Sequence, residues 1–190
     1  MVKGIAPKLK WNKKRWFSVQ APALFNEADL GNTVGYEEKD VLGRTIRTNA
    51  SLLTNDPRKQ TRKFTFKINQ VKGDRATTIL KSYELMESHI KRLIRKNGSR
   101  IDIITTTPTK DGKNVTVKVL LLTTSQCTAN QRKDLRAKGM QSIKTRIVGL
   151  EYDAFVTSIL QGALQKDIKN DLKKVHPLKV TEVLKYRVAA

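Results

Sequence analysis

A single cysteine, Cys127, stands in the sequence, so neither a disulfide within the chain nor a cysteine-based zinc site can form. That usage suits a reducing compartment. Histidine is nearly as scarce. His89 and His176 are the only two, and neither lies among the carboxylates or thiols that metal sites and histidine acid–base chemistry need. His89 falls on the flank of an amphipathic stretch and His176 precedes a proline at a helix end, positions that suit core or surface roles. Long apolar runs are missing as well. The greasiest segment, Val115 to Leu122, is interrupted by Thr116 and Lys118 and falls far short of the roughly 20 residues that span a bilayer. The N-terminus carries basic residues without an apolar h-region, which is no secretory signal, and Pro7 with the scarcity of Ser and Arg argues against a mitochondrial transit peptide. No phosphate-cradling G-x-x-x-x-G-K-[ST], dinucleotide G-x-G-x-x-G, zincin H-E-x-x-H or hydrolase G-x-S-x-G pattern occurs.

Negative charge is the other shortage. Only 17 Asp and Glu face 38 Lys and Arg among 190 residues, leaving a formal charge of +21 and a pI near 10.3. Such a surface repels itself in the compact state. A polyanion relieves that repulsion, and each phosphate neutralised also releases a condensed counterion. A membrane surface is the other common polyanion, but it asks for an exposed amphipathic helix rich in aromatics, and none is present. The hydrophobic fraction of 38% is low for a globule and too high for disorder, so a modest core under a thick polar surface is expected.

Residues 1–15 form a basic arm with Lys3, Lys8, Lys10, Lys13, Lys14 and Arg15 and no acid. Such a run is expected to order only on phosphate. Trp11 and Trp16 flank its lysines, as base stacking on RNA would use; Trp16 is also suited to anchor the first strand in the core, the role favoured for it.

Residues 16–124 read as a β-rich core with one amphipathic helix. Strands are expected over Trp16–Val19, over 45–53 with Ile46, Ala50 and Leu52 on one face, over 63–71 with Phe64, Phe66 and Ile68 inward, and over 77–82. Asn55-Asp56-Pro57 and Lys72-Gly73-Asp74 mark turns. Glu84 to Lys96 predicts a helix with Met86, Ile90, Leu93 and Ile94 on one face and Lys91, Arg92, Arg95 and Lys96 opposite or flanking, stopped by Asn97-Gly98. A hairpin follows, turning at Asp111-Gly112. Its return strand is apolar on both faces from Val119 to Leu122, which marks it as central.

Residues 125–190 read as a helical portion ending in a strand, one structural unit with the core. A long helix is expected over 129–150, with Met140, Ile143, Ile147 and Leu150 as its apolar stripe. Arg132 and Arg136 project on that same side, so the first half is expected to protrude, surrounded by Arg132, Lys133, Arg136 and Lys138. Shorter helices are expected over 153–160 and 163–175, and the alternating tail 178–188 predicts a strand that returns to the sheet. The fold class is therefore α+β: a mostly antiparallel sheet or partly closed barrel, then a helical C-terminal portion with a returning final strand.

Several stretches resemble one family. The run Lys13 to Phe25, KKRWFSVQAPALF, is similar to the N-terminal signature of the S-three-a (es-one) family of small-subunit ribosomal proteins, carried here by Lys14, Trp16, Phe17, Val19, Ala21-Pro22-Ala23, Leu24 and Phe25. Arg62-Lys63-Phe64 resembles its R-K-F strand and Gln131-Arg132-Lys133 its basic helix start. Lys166-Asp167-Ile168 and His176-Pro177-Leu178 resemble its ending, with His176 where many members carry Tyr. The chain is shorter at both ends than eukaryotic members, which points to the archaeal type. The resemblance implies a cytoplasmic structural component of the small ribosomal subunit, on the platform near the mRNA exit and the rRNA 3′ end. It implies small-subunit rRNA and neighbouring ribosomal proteins as partners, with mRNA or initiation factors nearby.

The residues expected to contact RNA are Lys8, Lys10, Trp11, Lys13, Lys14, Arg15, Arg58, Lys59, Arg62, Lys91, Arg92, Arg95, Lys96, Arg132, Lys133, Arg136 and Lys138. Phosphate contacts of this dispersed kind position a protein without reading sequence. No catalytic residue, cofactor, metal, membrane partner or homo-oligomer is expected. Two rivals stand beside this reading. One is a free-standing chromatin or RNA-chaperone protein, which binds duplex DNA and RNA alike. The other is an RNA-processing enzyme built on Glu37, Glu38 and Asp40.

Overall fold

The computed structural model describes residues 13–188. They fall into two compact units, one running to Ile46 and including Lys67–Ile79, the other made of Arg47–Phe66 and the chain from Leu80 onward. The strands β4 (Arg62–Lys72) and β5 (Arg75–Leu85) run through both. The fold is α+β, an open mixed sheet of eight strands with helices gathered toward the C-terminus. The open sheet settles the choice left by the sequence against a partly closed barrel.

In the first unit, β1 (Arg15–Gln20) and β2 (Asp29–Gly35) pair antiparallel, with Trp16 opposite Val34 and a register shift at Val19/Gln20. β1 also pairs parallel with the start of β5, Ser18 opposite Arg75. Alternation along β1 sends Phe17 and Val19 inward. They form a core with Val41, Ile68 and Ala76, flanked by Leu30, Ile46 and Val71. Val41 comes from the short helix α1 (Glu38–Val41), and Gly35 is needed beneath it: a Cβ there would lie 2.7 Å from Val41 Cγ2. The same alternation overturns the expected core role of Trp16, which is 67% exposed on the outer face. A one-residue difference in register decides the face of every side chain on a strand.

In the second unit the segment expected as one strand divides. β3 (Thr45–Asn49), which begins at the end of the first unit, gives way to a helix α2 (Ala50–Thr54). Its 3.6-residue period buries Ala50 and Leu53 and leaves Leu52 70% exposed. The central sheet here is the hairpin β6 (Arg100–Pro108) and β7 (Asn114–Thr123) with β8 (Leu178–Val188) antiparallel on the other side of β7. Gly112 takes φ +74° in the hairpin turn, which suits the Asp-Gly pair there. β8 also pairs with β5 through Tyr83 and Tyr186, so the final strand returns as expected. Register shifts at Lys118/Val119 and Leu122/Thr123 in the β7–β8 pairing break its simple alternation and bury both Val183 and Leu184.

Both faces of this sheet are covered. On one face Leu85, Leu120, Leu122 and Leu184 form a cluster under Ile90 and Leu93 of α3 (Glu87–Leu93). That helix stops three residues before the expected Lys96, and Ile94 lies in extended backbone at its C-cap. On the other face α4 (Ala129–Val148) packs on β6 and on α6 (Ala163–Leu172), with α5 (Tyr152–Gln161) against α6. An aromatic cluster fills this side: Tyr83 and Tyr186 stack with centroids 5.7 Å apart, and Phe155 meets Tyr186 edge-on at 5.3 Å.

The path of α4 corrects the expectation of a protruding first half. Its buried stripe is Leu135, Gly139, Ile143 and Ile147, an unbroken i, i+4 row. Met140 instead faces solvent. Gly139 disguised the pattern, because it reads as a gap in hydrophobicity. In the structure it is the point of closest approach: a Cβ there would intrude on Ile103 Cδ1 and lie 3.5 Å from Leu172 Cδ1.

Candidate nucleic-acid interface

The folding of each basic segment decides whether its cations face solvent. At the N-terminus of α4, Thr128 and Gln131 form a reciprocal cap. Gln131 N donates to Thr128 Oγ1 at 3.4 Å and Thr128 N donates to Gln131 Oε1 at 3.1 Å. The cap starts the helix so that Leu135 and Gly139 turn inward, which leaves Arg132, Lys133, Arg136 and Lys138 exposed on the outer face and its flanks. Sequence reasoning placed these four cations on the surface, though on a protrusion rather than on a packed helix.

Around α3, Lys91 and Arg92 are exposed in the last turn. There they also complement the partial negative charge of the helix end. Arg95 and Lys96 follow it and line a cleft of about 380 Å³ with Lys179, Asn97, Thr124 and an apolar floor of Leu93 and Leu122. No acid lines that cleft. Lys179 is the cleft residue that the sequence did not single out, since only the return of β8 brings it beside the loop after α3. Gly98 closes the loop onto β7, where a Cβ would lie 2.5 Å from the Thr123 carbonyl oxygen.

Elsewhere the expected residues divide. Lys8, Lys10 and Trp11 lie outside the described residues. Lys13, Lys14 and Arg15 are exposed at the start of β1, with the Lys14 ammonium 5.6 Å from the Tyr36 ring centroid. Arg58 is exposed in the turn Pro57–Lys59, where its backbone N–H donates to Asp56 Oδ1 at 3.0 Å, while Lys59 pairs with Asp56 at 3.5 Å. Arg62 is half-buried and directed inward. Its Nη1 donates to the carbonyls of Ile159 and Leu160 at 3.1 and 2.6 Å, at the end of α5. That is a structural contact, a cation on the last carbonyls of a helix C-terminus, where Ile159 also accepts from Gly162 N and Gln165 Nε2. The same guanidinium opposes the burial that raises the Glu182 carboxyl above its usual range.

The electrostatics favour anions. Ion pairs among the described residues engage Lys59, Arg100, Lys110, Lys118, Arg146 and Lys185. Lys91, Arg92, Arg95, Lys96, Arg132, Lys133, Arg136 and Lys138 have no salt-bridge partner among them. Burial, then Arg92 and Arg62, holds the His89 pKa below the ordinary imidazole value. Two acids of the Glu37–Asp40 cluster are occupied structurally. Glu37 and Asp40 cap their own helix, Asp40 Oδ2 accepting from the backbone of Tyr36 and Glu37 at 3.2 and 3.3 Å. Among the described residues no group of three or more His, Cys, Asp or Glu is placed to hold a metal ion, and no helix is long and apolar enough to cross a membrane.

Known proteins give this arrangement a context. Residues 6–190 match the family model described as the ribosomal S3Ae family. A Small ribosomal subunit protein eS1 from Sulfurisphaera tokodaii is 36% identical over 183 residues, covering 96% of this chain and 95% of that protein. Proteins of the same name from Saccharolobus islandicus and Saccharolobus solfataricus are 34% and 35% identical over 186 residues, covering 98% of this chain and 89% of theirs.

Proposed function

Because the chain belongs to the ribosomal S3Ae family, we propose that it is a structural component of the small ribosomal subunit, holding folded rRNA through dispersed phosphate contacts. The observation that carries this reading is the end-to-end likeness to archaeal Small ribosomal subunit protein eS1, joined to basic helix faces that lack acid partners among the described residues. The outer faces of α3 and α4 and the Arg95–Lys96–Lys179 cleft engage phosphate and sugar, and the exposed cations of the N-terminal segment extend the contact. Such contacts suit RNA recognised by shape. Arg62 keeps to its role within the protein.

The seat is the platform near the mRNA exit and the rRNA 3′ end. Neighbouring ribosomal proteins flank the chain there, with mRNA or initiation factors close by. The protein performs no chemistry. Crosslinking within purified small subunits tests the placement. Crosslinks from the α3 and α4 peptides to nucleotides near the rRNA 3′ end support it, and crosslinks confined to another rRNA domain refute it.

A further inference from the structure

Trp16 is the bulkiest of the exposed apolar side chains among the described residues, and phosphate binding leaves it unexplained. Two-thirds of it faces solvent, and Tyr36 beside it is 49% exposed. The register extended by one pair, together with the Lys14–Tyr36 contact, points to a shared face. Trp16 pairs with Val34 and Arg15 with Gly35, so continuing the antiparallel pairing puts Tyr36 across from Lys14, on the side that carries Trp16 and Ser18. The Lys14 ammonium lies 5.6 Å from the Tyr36 ring centroid. The outer face of the β1–β2 hairpin thus carries two aromatic rings, a cation against one of them, the half-buried Val34 opposite Trp16, and small polar neighbours in Ser18 and Asn32.

We propose that this face is a stacking platform for an unpaired nucleotide of RNA, with a base lying on the Trp16 indole and the adjoining phosphate met by Lys14 and its neighbours. The choice of RNA rests on the function proposed above. The local charge supports it. Lys13, Lys14 and Arg15 occur together, and the preceding residues add Lys3, Lys8 and Lys10 with no acid. Glu37, Glu38 and Asp40 are exposed nearby, Glu37 and Asp40 in the cap of α1, and the cations of this segment outnumber them. Rings on a sheet surface give every base a π-face, so stacking of this kind tolerates sequence and demands a single strand. Duplex RNA keeps its bases stacked inside and offers this face nothing but phosphate.

Trp16 reports on itself once Trp11 is changed to Phe, because these are the only two tryptophans. The full chain carrying Trp11→Phe is titrated with a single-stranded RNA octamer and with a duplex of the same length. The expected result is quenching of Trp16 emission by the single strand alone. Trp16→Ala should weaken single-strand affinity roughly five- to hundred-fold for one stacked base, and Trp16→Phe should recover most of it. Unchanged emission together with unchanged affinity of Trp16→Ala overturns the proposal, and so does equal quenching by the duplex. If Trp16→Ala binds the octamer normally but loses a protein crosslink within small subunits, the face belongs to a protein partner and the proposal fails. Quenching by RNA in a chain that never sediments with small subunits refutes the ribosomal reading and leaves the platform standing.

Discussion

Gly139 decides whether the first half of α4 is packed or projecting, and its substitution gives opposite signs in the two cases. On a projecting helix, Gly139→Ala removes the backbone freedom of glycine and stabilises the protein by about 1 kcal/mol. On the packed helix the same gain is opposed. The new Cβ intrudes on Ile103 Cδ1, and Ile103 is itself 2% exposed on β6. Overpacking a filled core costs about 1–3 kcal/mol, so the net expectation is a loss of roughly 0–2 kcal/mol. Gly139→Leu adds three more carbons to the same space while keeping nearly the whole helix-propensity gain, so it should fall well below Ala. Leu135→Ala, one turn earlier, should cost about 2–5 kcal/mol, because Leu135 is fully buried. Urea unfolding of the full chain reads all three, as shifts of midpoint at constant slope. For a chain of this size 1 kcal/mol corresponds to about 2–4 °C in Tm. A rise in stability for both Gly139 variants, with Leu135→Ala neutral, would refute the packed helix.

Other expectations follow from the same contacts. Changing Arg132, Lys133 and Arg136 together to Ala should leave the fold intact and reduce the slope of log K against log salt for RNA binding by roughly 2 to 3; an unchanged slope in a salt titration would remove α4 from the interface. Arg62→Ala should destabilise by about 1.5–3 kcal/mol in denaturant melts, because the Leu160 carbonyl loses its charged donor and the Ile159 carbonyl keeps only Gly162 N and Gln165 Nε2; a variant as stable as the parent would show the contact to be idle. Asp171 accepts from Ser142 at 2.6 Å and from Arg146 at 2.9 Å, and these bonds hold its pKa below the ordinary carboxylate value. The stability they contribute is present above the unfolded pKa of about 3.9 and is lost as pH falls through the lower folded value. Asp171→Asn should therefore be less stable than the parent at pH 7 by up to roughly 1 kcal/mol, and melts should show the gap closing in acid. A gap that widened in acid would reverse the sign.

Much of the fold was legible where one period dominated. Phe64, Phe66 and Ile68 were read inward and are buried, and the hairpin around Asp111-Gly112, the helices α5 and α6 and the returning β8 all stand where their patterns put them. Each misreading has its own physical cause. The core role favoured for Trp16 fails because Phe17 and Val19 on the opposite face fix which side of β1 meets the core. Leu52 was assigned by alternation across a strand–helix junction that alternation cannot detect. Gly139 hid a buried row because close helix–strand approach needs the absence of a side chain. The cap pair Thr128 and Gln131 was present as a T-x-x-Q pattern and, read as a helix start, would have fixed the phase of α4. For the basic residues, sequence shows charge but not direction. Lys91 and Arg132 reach solvent, while Arg62 turns back to α5, and Lys179 joins Arg95 only through the tertiary fold.

Sedimentation of the native chain through a sucrose gradient, at low and then moderately high salt, tests the central claim most directly. The account predicts that the chain travels with the small ribosomal subunit and stays there at moderate salt, because many dispersed phosphate contacts act together within a folded particle. A chain that remains at the top of the gradient, or spreads along DNA, would contradict it and favour a free-standing nucleic-acid binder.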